Sequence, residues 1–347
     1  MARAFRRMPR MNSFAIHLFI DAWPNGWLKA IVDCERVPKP AWFAYKDALT
    51  PLAVQIIQDR NSFYSGEKFD FPVWICNDMH GTIDAELRYV LELNGKCIDS
   101  GKNKAMVPTV SEGARFQGLI PVAFPEVESV STLLLRVAAF SKKDNVVLHE
   151  DVAEVKIYPK KEYHARNVYM LGESDDAETV ARLFNMSRRT SYSVTDSSVI
   201  MVSDSSFVLK SFDKLKKCAE NGANVIFYHS SLNDRLLEDL NLDASFVNDN
   251  SWILSRNKQL DCFKESLSTD LKYNYSSISK QPERYRFKMF SADETIIPVL
   301  TYKNNCVIGY KSCGKGRIII CGLKISDRMG TTPLLDRIMS FLLFGDN

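Results

Sequence analysis

The chain has 347 residues, enough for roughly two or three domains, and its 45 Lys and Arg nearly balance its 42 Asp and Glu, giving a net charge of +3. This balance argues against a broadly basic protein, so neither nucleic acid nor a membrane is expected as a partner. With 46% hydrophobic residues, 15 Gly and 13 Pro, the composition excludes a disordered or low-complexity chain. The sequence therefore predicts globular protein throughout.

Cysteine spacing and hydropathy indicate the compartment. The eight cysteines contain no CxxC pair, which predicts reduced thiols, no disulfide framework and no metal or other cofactor. The basic N-terminus precedes a short apolar stretch that ends at Asp21 without the small residues of a signal-peptide cleavage site. No apolar run approaches the roughly 20 residues that cross a bilayer. These features favour the cytoplasm and predict neither a signal peptide nor a transmembrane segment.

Residues 1–50 are predicted to form one strand and one helix. The run Ala15–Ile20 is apolar except for His17, as in a strand that is buried on both faces of a sheet. A helix is predicted after Pro38-Lys39-Pro40, with the second proline in its first turn, and it ends before Pro51. One strand and one helix cannot close a core, so this segment needs either the rest of this chain or further polypeptide to pack on.

Residues 51–160 change to a period of two, which predicts an immunoglobulin-like β-sandwich. From Ile83 to Leu93 apolar and polar residues alternate with one exception, and Asn94-Gly95 supplies the positive-φ pair of a type I′ hairpin. Further strands are predicted over 68–77, 115–122, 132–141 and 146–157.

Residues 165–347 alternate strands with helices, which predicts a doubly wound α/β domain with a parallel sheet. The predicted strands are Val168–Leu171, Val199–Val202 and Val225–Tyr228, with helices over Asp175–Phe184 and near Phe207–Ala219. The domain is completed by less regular strands over 283–310, a turn at 314–316, the strand Arg317–Cys321 and a helix near Thr332–Phe344.

The first fifty residues carry a family resemblance. The run Phe19-Ile20-Asp21-Ala22-Trp23-Pro24, then Trp27, Ile31-Val32-Asp33 and the stretch from Arg36 to Ala44 resemble the end of the catalytic barrel in family 2 glycoside hydrolases. The similar members are of the β-mannosidase, β-galactosidase and exo-glucosaminidase kind. The resemblance implies that 1–50 is the last strand, active-site loop and helix of an incomplete (β/α)8 barrel, and that a β-sandwich follows. The final segment, 165–347, is similar to flavodoxin-like and glutamine-amidotransferase-like domains, which some large glycosidases carry as non-catalytic accessories.

The resemblance implies a β-glycosidase whose acidic machinery is encoded elsewhere. Retaining glycosidases use two carboxyl groups about 5–5.5 Å apart. In this family both are glutamates on barrel strands four and seven, which would lie upstream of Met1. Glu35 is the only glutamate in the first fifty residues, at a position where the family places neither role. We therefore predict no catalytic residue, no hydrolysis by this chain alone, and a non-catalytic C-terminal region of an enzyme that cleaves terminal β-glycosidic bonds.

Three residues are candidate substrate-binding residues in a complete barrel: His17, Asp21 and Trp23. Asp21 and Trp23 match the family pattern Asn-Asp-x-Trp-Pro, with Ile20 in place of the Asn, and His17 aligns where family members carry a sugar-stacking Trp. The alternative for Asp21 is structural, because an Asp beside a Trp-Pro turn also caps local backbone. The expected ligand is a carbohydrate, and the expected protein partner is a barrel-completing polypeptide or a second copy of the chain.

Two other functions stay open. One is a stand-alone carbohydrate-binding or oligomerisation scaffold in which aromatics between Phe63 and Trp74 stack on sugar, although alternating aromatics in a sandwich are more often core. The other is an amidotransferase-like hydrolase, which needs a nucleophile on a sharp strand-to-helix turn. The turn His229-Ser230-Ser231 lacks that elbow and is predicted to cap the next helix. The stretch Cys313-Gly314-Lys315-Gly316 lacks the spacing of a phosphate-binding loop and is predicted to be a hairpin turn.

Overall fold

The computed structural model describes residues 1–8, 11, 13–24, 30–161, 168–172, 175–189, 199–240, 242, 244–248, 254–266, 270–271, 286–291, 294–325 and 329–345. The chain divides into two compact units, Met1–Asp59 with Ser65–Ile157 and Arg60–Tyr64 with Tyr158–Asn347. Within the described ranges there are eighteen strands and six α-helices, so this part of the chain is mostly β-sheet. None of those helices has the length and hydropathy that crossing a membrane requires.

The elements are numbered in chain order. Up to residue 158 they are α1 (Ala2–Arg6), α2 (Pro40–Ala48), β1 (Leu52–Ile56), β2 (Ser62–Tyr64), β3 (Lys68–Asn77), β4 (Ala85–Leu93), β5 (Lys96–Lys104), β6 (Ala114–Ala123), β7 (Ser131–Ser141) and β8 (Val147–Tyr158). Beyond it they are β9 (Val168–Leu171), α3 (Asp175–Leu183), β10 (Ser187–Arg189), β11 (Val199–Val202), α4 (Ser205–Glu220), β12 (Asn224–Tyr228), α5 (Asp234–Asp239), β13 (Ala244–Asn248), β14 (Ser255–Arg256), β15 (Arg286–Phe290), β16 (Ile297–Tyr302), β17 (Asn305–Cys313), β18 (Gly316–Cys321) and α6 (Pro333–Phe344).

The first unit contains the predicted β-sandwich. Three strands pair antiparallel in the order β1-β3-β6, and four more in the order β8-β7-β4-β5. Alternate residues of β3 are buried, with Phe71 and Ile75 fully covered, because successive side chains of a strand point to opposite faces. The hairpin between β4 and β5 has positive φ at both Asn94 and Gly95, 48° and 80°, which confirms the predicted type I′ turn.

The strand predicted over Ala15–Ile20 is wrong. Only Ile20 of that run bridges to another segment, a parallel bridge to Val32, and Val32 bridges in turn to Pro38. Phe19 and Ile20 are 54% and 41% exposed, so this apolar run is not buried on both faces. The described part of residues 1–50 therefore holds no strand of a (β/α)8 barrel. The predicted helix is confirmed as α2, with Pro40 at its first position.

A short helix that the sequence did not predict, α1, attaches the N-terminus to the sandwich. Arg3 donates two hydrogen bonds to Asp151 on β8, at 2.9 and 2.7 Å, and a third to Asp47 on α2 at 2.7 Å. Arg6 donates to the backbone oxygens of Ala48 and Thr50, at 2.9 and 2.7 Å, which are free carbonyls at the end of α2. These arginines therefore hold α1, α2 and the sandwich together.

The second unit is built on one mixed sheet. Its strands follow the order β10-β9-β11-β12-β18-β17-β15-β13, and the pairs from β10 to β18 are parallel whereas those from β18 onward are antiparallel. The parallel strands β9, β11 and β12 are mostly apolar because both faces of the sheet are covered there. Ile200 and Val202 of β11 pack in the cluster that contains α4, and Val199 and Met201 in the cluster that contains α6.

The predicted turn at 314–316 is confirmed as a hairpin. Cys313 pairs with Gly316 across the two-residue connection of β17 and β18. The Lys315 amide donates to the carbonyl oxygen of Glu220 at 3.0 Å. This turn therefore also provides a hydrogen-bond donor for a carbonyl group at the C-terminal end of α4. The stretch precedes a strand rather than opening a helix, which is not the arrangement of a phosphate-binding loop.

Candidate functional site

The residues around Asp21 lie on a small three-segment ladder. Segment 31–33 is central, with 19–21 on one side and 37–39 on the other. The Asp21 amide donates to the Val32 carbonyl at 3.0 Å, and the Lys39 amide donates to the Ile31 carbonyl at 2.9 Å. Because side chains alternate along such segments, Asp21, Ile31 and Lys39 share one face. The ladder thus brings together two charged residues that are 18 positions apart.

Asp21 and Lys39 form a close ion pair on that face. Lys39 Nζ lies 2.6 Å from Asp21 Oδ2, and the Asp21 side chain is only 8% exposed. The other carboxylate oxygen, Oδ1, is buried and accepts no hydrogen bond from any described residue. A buried polar atom without a partner costs free energy, so Oδ1 is an acceptor that still requires a donor.

The other predicted site residues lie at the surface. Trp23, two residues after Asp21, is 58% exposed, and His17 is exposed as well. His17 makes no hydrogen bond or ion pair within the described ranges, and Trp27 lies outside them. Phe19 packs edge-on against Trp42 of α2, with ring centroids 5.5 Å apart. The structure therefore gives the ladder a buried carboxylate and, close to it in the chain, an exposed aromatic ring.

Glu35 lies in a tight turn that the Asp33 side chain stabilises. It follows Asp33, whose Oδ1 accepts hydrogen bonds from the Glu35 and Val37 amides at 3.0 and 2.8 Å. Arg36 between them has a φ of 66°, as a tight turn requires. The Glu35 side chain is exposed and forms no ion pair among the described residues. This carboxyl group lies on the outside of a turn.

The interior of the sandwich contains a small cavity. It has a volume of ≈ 30 Å³ and opens between the two sheets, beside Asn103, Gln117 and Tyr89. That volume holds about two water molecules and no sugar ring. Phe71 is completely buried, so the prediction that aromatics in this region are core of the sandwich is correct for it. Phe63 is completely buried as well, but it belongs to the second unit.

The turn after β12 uses its hydroxyl groups in local hydrogen bonds. Ser230 Oγ donates to the Ser203 carbonyl at 2.6 Å, and Ser231 Oγ donates to the Tyr228 carbonyl at 2.8 Å. Asn233 then accepts a hydrogen bond from the Leu236 amide at 2.8 Å as the N-cap of α5. The prediction that this turn caps the next helix is confirmed. His164 lies outside the described residues.

Burial disfavours the thiolate at four of the cysteines. Desolvation raises the pKa of Cys306 to about 11 and the pKa of Cys321 to about 12. Burial also raises the pKa of the thiols of Cys218 and Cys313. A nucleophilic cysteine requires the opposite shift, because the thiolate is the reactive form. Among the described residues, no cluster of three His, Cys, Asp or Glu side chains is arranged to hold a metal ion.

These thiols make stability depend on pH in the alkaline range. The pKa values of Cys306 and Cys321 are about 11 and about 12 in the folded chain, above the ordinary thiol value of 9.0, so the unfolded chain loses these protons first. Their contribution is complete below about pH 9 and is lost as the pH rises toward the folded values. We expect urea midpoints between about pH 8 and 11 to fall less steeply in a Cys306→Ala/Cys321→Ala variant than in the parent chain. Parallel profiles for the two chains would contradict this expectation.

Sequence reasoning missed Lys39 as part of the site. The residue was assigned only to the Pro38-Lys39-Pro40 segment before α2, because nothing in its neighbourhood points to a carboxylate. A basic residue one position before a Pro-initiated helix is a common surface pattern. Only the register of the ladder, with Val32 bridging both Ile20 and Pro38, brings Lys39 to Asp21.

Comparison with known proteins gives structural neighbours only. No protein family matches the chain, and no curated protein matches it either. Fibronectin(III)-like modules of Clostridium thermocellum CbhA are 17% identical at a TM-score of 0.20, with 31% of this chain and 96% of that one covered. A calcium-binding mutant of Bacteroides uniformis β-glucuronidase 2 is 12% identical at a TM-score of 0.23, with 51% of this chain and 22% of that one covered. The same enzyme bound covalently to cyclophellitol-6-carboxylate aziridine is 16% identical at a TM-score of 0.23, with 54% and 21% covered. The chain thus spans about a fifth of the length of that β-glucuronidase.

Proposed function

We propose that this chain is the non-catalytic C-terminal region of a family 2 β-glycosidase, and that Asp21 and Trp23 belong to the rim of its sugar pocket. In the complete enzyme, hydrolysis of terminal β-glycosidic bonds would be carried out by two glutamates outside this chain. His17 is a third rim residue of this proposal.

The single observation that carries the proposal is the state of the Asp21 carboxylate. One oxygen is fixed by Lys39 at 2.6 Å, and the other is buried without a hydrogen-bond partner in the described part of the chain. Trp23 is 58% exposed two residues further on. A carboxylate acceptor two residues away in the chain from an exposed aromatic ring suits a pyranose, which has hydroxyl donors at its edge and an apolar face that stacks on aromatic rings.

The contacts of three carboxyl groups support the proposal that this chain does not catalyse hydrolysis. Three of the buried acids are engaged in structural contacts: Arg3 holds Asp151, Ser62 donates to Asp270 at 2.6 Å, and Tyr64 donates to Asp336. Each of the three accepts from a different donor, whereas a glycosidase requires two opposed carboxyl groups at one sugar site.

We expect the purified chain to release no more chromophore from p-nitrophenyl β-glucoside, β-galactoside, β-mannoside, β-glucosaminide or β-glucuronide than buffer does. Each methyl β-glycoside that binds should show saturation transfer by NMR at millimolar concentration, and the transfer should fall with Trp23→Ala. Turnover that Glu35→Gln abolishes would overturn the assignment, since Glu35 would then be catalytic. Lys46→Met on α2 is the matched control for folding, because Lys46 is exposed and forms no ion pair in the described ranges.

The parallel part of the second unit supports a finer proposal, that it is a doubly wound accessory domain. The order β10-β9-β11-β12-β18 corresponds, in chain order, to 2-1-3-4-5, which is the order of flavodoxin-like sheets. The hydrogen bonds of Ser230 and Ser231 and the raised pKa values of the buried thiols favour an accessory over an active amidotransferase-like hydrolase.

A second candidate function, sugar binding by the sandwich itself, rests on one aromatic pair. Trp74 of β3 and Phe116 of β6 lie on the same outer face with ring centroids 5.5 Å apart, and Phe116 is 42% exposed. The same saturation-transfer experiment distinguishes the two functions. Transfer that Trp74→Ala abolishes and Trp23→Ala leaves unchanged would assign the sugar to the sandwich rather than to the ladder.

A further inference from the structure

We propose that Lys39 is a positioning residue for Asp21, and that the pair selects a neutral pyranoside by leaving Oδ1 as an acceptor for one sugar hydroxyl. This inference rests on the proposed function, because it concerns the same pocket rim. It adds a residue to that rim and names the class of sugar.

The ladder explains how Lys39 acts on Asp21. The backbone amide of Lys39 donates to the Ile31 carbonyl at 2.9 Å, and α2 begins at the next residue. The backbone of Lys39 is therefore fixed on both sides of its Cα atom. From there the ammonium group reaches Asp21 Oδ2 at 2.6 Å. Ile31 is 6% exposed and lies between the two segments that carry the charged residues. The ladder therefore places the Lys39 ammonium group against one oxygen of the Asp21 carboxylate, Oδ2.

This geometry assigns different roles to the two oxygens. Oδ2 is satisfied by a charge-assisted hydrogen bond, while Oδ1 is buried without a donor among the described residues. A hydroxyl group is both small and a donor, so it can satisfy a carboxylate oxygen that carries no proton. With Lys39 paired, a hydroxyl hydrogen bond to Oδ1 completes the coordination of the carboxylate.

The same charges disfavour an acidic sugar. The ammonium group of Lys39 is already paired with Asp21, so the pair as a whole is neutral. A uronate carboxylate placed at Oδ1 would meet a second carboxylate with no cation left to compensate, and like charges at such distances repel. Selectivity for a neutral pyranoside over a uronate therefore comes from repulsion of the uronate carboxylate as much as from the hydroxyl hydrogen bond to Oδ1.

The test uses the full chain with three single variants and two sugar probes. Lys39→Met removes the ammonium group at similar length, Lys39→Arg keeps the charge, and Lys46→Met is the matched control on an exposed lysine of α2. Saturation-transfer NMR gives the dissociation constants of methyl β-D-glucopyranoside and of methyl β-D-glucopyranosiduronate. Urea unfolding, followed by tryptophan fluorescence, gives the stability of each variant.

We expect the neutral glucoside to bind and the uronate not to bind. Lys39→Met should weaken glucoside binding about tenfold, Lys39→Arg should restore it to within about threefold, and Lys46→Met should leave it unchanged. A purely structural Lys39 would lower stability while the folded fraction still bound the glucoside with the original dissociation constant, and that outcome overturns the proposal. Preferential binding of the uronate overturns it as well.

The same binding data distinguish a failure of the proposed function from a failure of the role proposed for Lys39. If the parent chain binds neither sugar, Asp21 is no rim residue and both proposals fall. If the parent chain binds the glucoside through Trp23, and Lys39→Met binds it equally well, the pocket assignment stands and only the positioning role of Lys39 is wrong.

Discussion

Replacing Arg3 with methionine will lower the free energy of unfolding of the first unit by about 3 kcal/mol, although Arg3 lies near the end of the chain. The reason is Asp151, whose side chain is 7% exposed and whose two oxygens both accept from the Arg3 guanidinium group. Without that group, one hydrogen bond from the Ile56 amide at 2.7 Å and one from the Val152 amide at 3.1 Å would remain for a buried negative charge. Removing one partner of a buried pair costs far more than the net contribution of the pair, because the other charge is left without compensation.

The measurement is urea unfolding followed by tryptophan fluorescence, to which Trp23, Trp27, Trp42 and Trp74 contribute from the first unit. Arg136→Met is the matched control, since Arg136 pairs with Glu92 and Glu150 at the surface of the same sandwich at 3.3 and 3.1 Å. An exposed pair of this kind contributes at most about 1 kcal/mol. Equal losses in the two variants would contradict the structural role of Arg3. The double variant Arg3→Met/Asp151→Asn should be more stable than Arg3→Met alone, because the uncompensated charge is gone.

The attachment of α1 is a part of the fold that the sequence could not supply. Its five residues are too few for a periodic pattern, and its arginines look like an ordinary basic terminus. Their partners lie between 42 and 148 positions away, so only the folded sandwich brings them together. The sandwich strands, in contrast, were predictable because alternation along β4 and the Asn94-Gly95 turn are local features that agree with the tertiary structure.

The wrong strand over Ala15–Ile20 has a physical cause. An apolar run predicts burial, but a strand also needs neighbours that accept its backbone hydrogen bonds on both sides. In the described residues, segment 31–33 pairs on one side of 19–21 only, and Phe19 and Ile20 remain exposed. The sequence identified Asp21 and Trp23 as candidate site residues, whereas the role of Lys39 depends on ladder register, which no local pattern encodes.

Gly316 is a position in the second unit where a single added methyl group should have a large effect on stability. A Cβ atom there would lie 2.1 Å from the Ala223 carbonyl oxygen and 2.6 Å from that of Ala219, distances that no side chain adopts. Both obstacles are backbone atoms, one in the last turn of α4 and one in the connection from α4 to β12, and they cannot rotate away as a side chain would. Gly316→Ala must therefore separate the β17–β18 hairpin from α4. We expect a loss of about 3 kcal/mol in the free energy of unfolding, at the upper end of what overpacking costs.

Lys315, the residue before Gly316, provides the matched control variant for that prediction. Lys315 contributes its backbone amide to the Glu220 carbonyl, and its exposed side chain forms no ion pair in the described ranges. Lys315→Ala should therefore change stability by no more than about 0.5 kcal/mol. Hydrogen exchange of peptides from 305–321 locates the effect, since Gly316→Ala should accelerate exchange in both strands of the hairpin and Lys315→Ala in neither. Slow exchange in Gly316→Ala would mean that α4 can shift to admit the methyl group. A large loss in Lys315→Ala would mean that its side chain, rather than the close approach of two backbones, holds the turn to α4.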